Sequence, residues 1–396
     1  MTSILPQFAT FLYGENVGCN PGPGILRTGV TTVALAVTLS AGAQTRETDY
    51  LKRQYDFAVP TATAASANRW MPVPRLTGRI TSRELGLVIN TADPYSVEVG
   101  EYYIKARGLT RAQVLRLQLP VRGVLTPDEF RQFAAAVDSF FDVPVQALAL
   151  AWTQPYAVAC NSITGALALG FDAALCNHTC APSARSPYFN TATARPYSDL
   201  KLRPAMLLAA RDTAMAKAMI ERGVASDDTL GLRGSPPVHA YFVKTSDSAR
   251  SARAPLFPPP GLLRRPGVDV HVEAKEAIEK AQRVLIYETG LVSVPKLDTI
   301  GWVPGALADH LTSFGGQLER ETGQMSILDW IASGATASYG TVSEPCAHPP
   351  KFPNPQVLLL QYLQGASALE AYWKSVAWPQ QGVFIGEPLA APFARR

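Results

Sequence analysis

Leu85-Gly86-Leu87-Val88-Ile89-Asn90-Thr91-Ala92-Asp93-Pro94 decides the fold. Its apolar start reads as a short buried strand, and Asn90 to Asp93 reads as the turn that ends it. Asp93 followed by Pro94 is a helix start. The carboxylate accepts from an orphan backbone N–H, and proline already holds the φ of a first helical position. Residues 96–107 keep apolar side chains at helical spacing, and Gly108 stops them. Working outward, residues 114–119 are the next strand. Thr126-Pro127-Asp128-Glu129 is a capping box that opens a helix through Phe141, and residues 145–152 form a third strand. Strand, helix, strand, helix, strand with short connections predicts an α/β fold: a mostly parallel central sheet flanked by helices.

The pattern recurs downstream. Residues 205–210 read as a strand, 213–222 as a helix and 238–244 as a strand. A proline-rich break at 255–266 separates an N-terminal α/β half, 84–255, from a C-terminal half, 265–396. Beyond it, 268–272 and 284–287 read as strands flanking a helix-like 274–281. Residues 325–332 read as helical, 335–341 as extended, 357–376 as helical with a break at Gly365, and 382–385 as extended. Residues 146–171 carry no charge, but Gln154, Pro155, Asn161 and Ser162 interrupt them. That predicts a buried strand, a loop and a small-residue helix rather than a membrane span.

The N-terminus carries an address. Arg27 precedes an uncharged run at 28–43 that ends in Ala41-Gly42-Ala43, the small-x-small signature of signal cleavage before Gln44. Residues 1–43 are thus expected to be a signal peptide with an over-long start, leaving no stable membrane span once removed. Residues 44–83 are expected to be a linker or surface arm. The mature protein is expected to be periplasmic or secreted.

Composition fits a globular domain, with 47% hydrophobic and 17% charged residues. The net charge of +4 is small and the arginines are scattered, so nucleic acid is excluded as a partner. Removal of Cys19 leaves Cys160, Cys176, Cys180 and Cys346. In an oxidising compartment these predict two disulfide bonds, with three pairings open. Cys176-Asn177-His178-Thr179-Cys180 and Cys346-Ala347-His348 mix thiol with imidazole, but their spacing matches no standard zinc pattern, so no metal is predicted.

Chemistry-bearing residues cluster late in the chain. Asp309, His310 and Ser313 bring acid, imidazole and hydroxyl together, and Gly315 and Gly316 follow as possible donors to an oxyanion. The competing reading makes Asp309 and Ser313 caps of a turn and a helix. Glu344 and Glu387 each precede a proline at the end of an apolar strand, an arrangement suited to acid/base work, a cation or loop capping. Tyr339 reads as a core or rim aromatic that could border a ligand. No phosphate-binding glycine loop, dinucleotide fingerprint or metalloprotease helix occurs, so no cofactor is predicted.

Two resemblances rest on these motifs. Asn90-Thr91-Ala92-Asp93, Gly100-Glu101-Tyr102-Tyr103, Ser313-Phe314-Gly315-Gly316, the run from Gly334 to Pro345 and Gly386-Glu387-Pro388-Leu389 resemble a bacterial family of exported proteins of unknown function, over about 84–393. The second half is distantly similar to the gingipain-type branch of caspase-fold cysteine peptidases. Those enzymes carry a histidine turn after one strand and a cysteine turn after the next. Here Glu288-Thr289-Gly290-Leu291 stands at the first, Thr312-Ser313 at the second, and Gly386-Glu387-Pro388 at the final motif. The resemblance implies a caspase-like C-terminal half with a site near Thr289, Gly290, Thr312 and Ser313, and no Cys–His dyad. The leading expectation is therefore a peptidase-like fold that binds an unknown ligand or protein partner. One alternative is a hydrolase using Ser313, with His310, His348 or His178 as base and Glu344 as orienter. The other is a structural component of the envelope.

Overall fold

The computed structural model describes residues 69–319 and 323–395. The leader, its cleavage motif, Cys19 and the first part of the expected arm lie outside them.

Strand β1 (Leu85–Asn90) is buried along its whole length, as its unbroken apolar run requires. Helix α1 (Pro94–Arg107) starts where Asp93 accepts from the Tyr95 N–H at 3.0 Å and ends at Gly108, which takes the left-handed conformation. Strand β2 (Val114–Leu117) pairs parallel with β1. Then come β3 (Val124–Leu125), α2 (Pro127–Phe140) behind the Thr126 capping box, and β4 (Ala147–Leu150) on the other flank of β1. The opening strand–helix alternation is therefore as expected.

Two short strands, β5 (Ala157–Val158) and β6 (Asn161–Ser162), join β3 in a small second sheet. Helices α3 (Ile163–Leu169), α4 (Ala173–Asn177) and α5 (Pro196–Leu200) lead to β7 (Ala205–Leu207). Helix α6 (Thr213–Ser226) and strand β8 (Val238–Lys244) follow. Next come β9 (Gly261–Leu263), β10 (Val268–Ala274), β11 (Val284–Thr289) and β12 (Trp302–His310). The last described stretch holds α7 (Leu328–Ser333), β13 (Ala337–Thr341), α8 (Pro355–Leu363), α9 (Ala368–Ser375) and β14 (Gly382–Gly386).

The main sheet has eleven strands in the order β2-β1-β4-β7-β14-β13-β12-β11-β8-β10-β9. It is mostly parallel; β9 runs antiparallel to β10, and β14 antiparallel to β13. Strand β14 meets β7 through the single pair Ile385–Leu207. Strand β8, although it precedes the proline-rich break, lies between β11 and β10.

Residues 274–281 are not helical. The reason is reach. Strands β10 and β11 flank β8 and all run parallel, so residues 275–283 must return about 20 Å to the start of the next strand. Extended chain of that length spans about 30 Å, and helix only about 14 Å. Among the described residues no helix is long and apolar enough to cross a membrane. Both expected disulfides form, as Cys160–Cys176 and Cys180–Cys346, the pattern of a chain that matures under oxidising conditions.

Candidate functional site

Strands β11 and β12 end side by side, with Glu288 opposite Asp309 and Thr289 opposite His310. Arg253 reaches in from the segment after β8. Its guanidinium pairs with Glu288 at 2.9 Å and Asp309 at 2.6 Å, and donates to the Thr289 carbonyl at 3.0 Å. All three side chains are buried. Burial and then the neighbouring Asp309 charge push the Glu288 carboxyl well above its ordinary value, while Arg253 pulls only part of the way back. Burial raises Asp309 as well. With one cation between two dehydrated carboxyls, both stay above their ordinary values, Glu288 further than Asp309. This group braces the strand ends from beneath.

The next turn packs too closely for side chains. A Cβ on Gly290 would fall 1.9 Å from the Arg250 carbonyl oxygen, so only glycine lets the two backbones meet. Thr312 Oγ1 donates to Gln324 at 2.7 Å and accepts from Arg250 Nε at 3.2 Å. The Thr289 hydroxyl is buried without a hydrogen bond.

His310 does not serve Ser313. The indole of Trp330 donates to His310 Nδ1 at 3.0 Å, which leaves the ring proton of the neutral imidazole on Nε2. Burial drives the imidazole down to about 3, so it stays neutral. With one lone pair engaged and the other nitrogen protonated, no base remains. The Ser313 hydroxyl is half-buried and makes no hydrogen bond to any described histidine. Gly316 is equally committed. Its N–H donates to the Thr341 carbonyl at 2.9 Å, and an added Cβ would meet the Gly340 oxygen at 2.6 Å. The glycine pair is thus a close backbone crossing; Gly315 packs beside Met325 and the His310 ring.

Glu344 and Glu387, expected at neighbouring strand ends, lie at opposite ends of the β13–β14 pair. Gly386 faces Ala337 at the start of β13, whereas Thr341 at its end faces Gly382. Antiparallel pairing is what separates them. Glu344 accepts from the Cys346 N–H at 2.8 Å and so caps its own turn. Glu387 is buried against Tyr103 at 2.7 Å and Arg107 at 2.5 Å, tying α1 to the end of β14. Tyr339 is core: its hydroxyl donates to the Lys351 carbonyl and its ring meets Phe352 and Phe384 edge-on.

What the strand ends do enclose is a cavity of about 490 Å³. Asp93, Tyr95, Thr153, Ala210 and Arg211, from the ends of β1, β4 and β7, form one wall. Glu319 and Gln324, from the loop after β12, and Asp329, from the first turn of α7, form the other. Gln324 also accepts from Thr312 Oγ1 and the Phe314 N–H at 2.9 Å, so cavity and turn share a wall. The Tyr95 hydroxyl donates to the Leu208 carbonyl at 2.9 Å and accepts from the Ala210 N–H at 2.8 Å, which fixes the ring; burial pushes its pKa up to about 12. Arg211 is paired with Asp329. Desolvation raises the Asp93 carboxyl, and desolvation followed by the Asp93 charge raises Glu319. Two acids in excess of the bases give the cavity a negative field. Asp93 was legible in the sequence only as a helix cap; its place at the end of a parallel strand was the available sign of a site. Arg211, Glu319 and Gln324 carry no motif.

No protein-family model matches the sequence, and no curated protein is similar to it. Among solved structures, the chain is similar to gingipain R, described as an Arg-specific cysteine proteinase. Identity is 8%, the likeness covers 81% of this chain and 80% of that one, and the TM-score is 0.40. A distant gingipain-type likeness was the expectation from the two turns.

Proposed function

We propose that this is an exported, non-peptidase binding protein whose strand-end cavity takes a small ligand bearing an amine or guanidinium group. The cavity supports this reading: Asp93 and Glu319 lie in one negative field, and each holds its proton above the ordinary carboxylate range. A bound cation relieves that repulsion, so the carboxyls ionise as the ligand enters. Titration calorimetry with agmatine, an amine carrying a guanidinium, tests it. Binding is expected to strengthen as pH rises from 4 to 7 and to weaken about tenfold or more in Asp93→Asn, a substitution that keeps the helix cap. Equal affinity in wild type, Asp93→Asn and Glu319→Gln removes the proposal.

A hydrolase using Ser313 is favoured by one observation, a half-buried serine three residues beyond the end of β12. A fluorophosphonate adduct present in wild type and absent from Ser313→Ala would establish it. The expected result is no adduct, because an unassisted serine is a poor nucleophile.

A further inference from the structure

At the far side of the sheet, three side chains outside the candidate site converge. Strands β8 and β10 pair in parallel with Asp269 opposite His239 and His271 opposite Tyr241. Side chains two apart on a strand share a face, so these four stand in a square on one surface of the sheet. His239 Nδ1 lies 3.0 Å from His271 Nε2, and His271 Nε2 lies 3.6 Å from Asp269 Oδ2. One donor atom from each of the three falls within 4.8 Å of the others, and all three residues are partly open to solvent. Donors around a tetrahedral zinc at about 2.0–2.1 Å stand roughly 3.3 Å apart, so the spacing needs little adjustment.

We propose that His239, Asp269 and His271 form a three-ligand site for a zinc-class divalent cation, with the fourth position open to solvent or an outside ligand. Two imidazoles and one carboxylate suit zinc, with copper and nickel as competitors; magnesium and calcium prefer oxygen alone. The ring of Tyr241 stacks on His271 at 4.5 Å and nearly parallel, which fixes the orientation of that imidazole. Burial and the neighbouring His271 lower the pKa of His239, favouring the neutral ring that ligation requires. Without metal, one histidine must donate a proton to the other across the 3.0 Å gap. With metal, both lone pairs turn to the ion and each ring keeps its proton on the outer nitrogen. Arg283 is the nearby opposing charge. Its guanidinium is held by the Pro236 and Pro237 carbonyls, at 3.0 and 3.1 Å.

Among the described residues, the thiols and the fully buried imidazole are already engaged. Cys160, Cys176, Cys180 and Cys346 are paired in disulfides, and His310 is buried and engaged by Trp330. The experiment is calorimetric titration of the oxidised, chelator-stripped full chain carrying Cys19→Ser with zinc chloride. One equivalent should bind and raise the melting temperature. Affinity should fall in His239→Gln and His271→Gln by more than the roughly 10–100-fold that loss of an outer-shell partner costs. It should persist in His178→Ala and in His348→Ala. Near-ultraviolet circular dichroism confirms that each variant is folded. No zinc binding by the folded protein, or undiminished binding by the His239→Gln/His271→Gln double variant, overturns the site.

Discussion

Single buried side chains make the stability of this protein depend on pH. Glu288 holds its proton more tightly folded than unfolded, where its pKa is 4.5. Its contribution to stability is therefore whole below that value and is lost as pH rises through the folded one. Glu288→Gln keeps the shape of the protonated acid. Wild type is expected to lose melting temperature relative to Glu288→Gln as pH goes from 5 to 8, and parallel curves would contradict the assignment. His310 acts in the other direction. Its pKa falls from 6.5 unfolded to about 3 folded, so its share of stability is present above 6.5 and lost as pH drops toward 3. Nitrogen-15 NMR at pH 5 should show a neutral ring protonated at Nε2; an imidazolium signal would reopen its use as a base. The sequence showed that acid, imidazole and hydroxyl were near one another. It could not show that Trp330, 20 residues further on, occupies the imidazole.

At the level of elements, long-range pairs fasten pieces that local pattern alone could define. Arg107 ends α1 and clamps Glu387 beyond β14, with Asp227 on its other side at 2.6 Å. Arg107→Ala strands a buried carboxylate and is expected to cost about 3–5 kcal/mol in urea unfolding. Arg107→Met with Glu387→Leu should recover most of it. The Cys180–Cys346 bond spans 166 residues of sequence. Cys346→Ser should lower stability by about 2–5 kcal/mol, and an unchanged unfolding midpoint would show that the link is not formed in solution. The strands, caps and glycine stops from β1 to β4 were legible because Asp93, Gly108 and Thr126 act within a few residues of themselves. Residues 274–281 misled because their helical propensity is local, whereas the distance from β10 to β11 is a property of the sheet. Cysteine number predicted two bonds, and only the folded loops selected the pairing.

Across the whole molecule, the fold class was readable and the site was not. Alternating apolar runs announce a parallel sheet. The cavity instead gathers Asp93, Arg211 and Glu319 from widely separated stretches, and only strand order brings them together. That order has a further consequence in time. Strand β14 is fifth of eleven across the sheet, yet it follows every other strand in sequence. Until residues 382–386 take their place, β7 and β13 are two bare edges with a slot between them. Each such edge can pair with a strand of another chain. Without residues 382–386 the chain would hold two half-sheets, and with them it holds one continuous sheet.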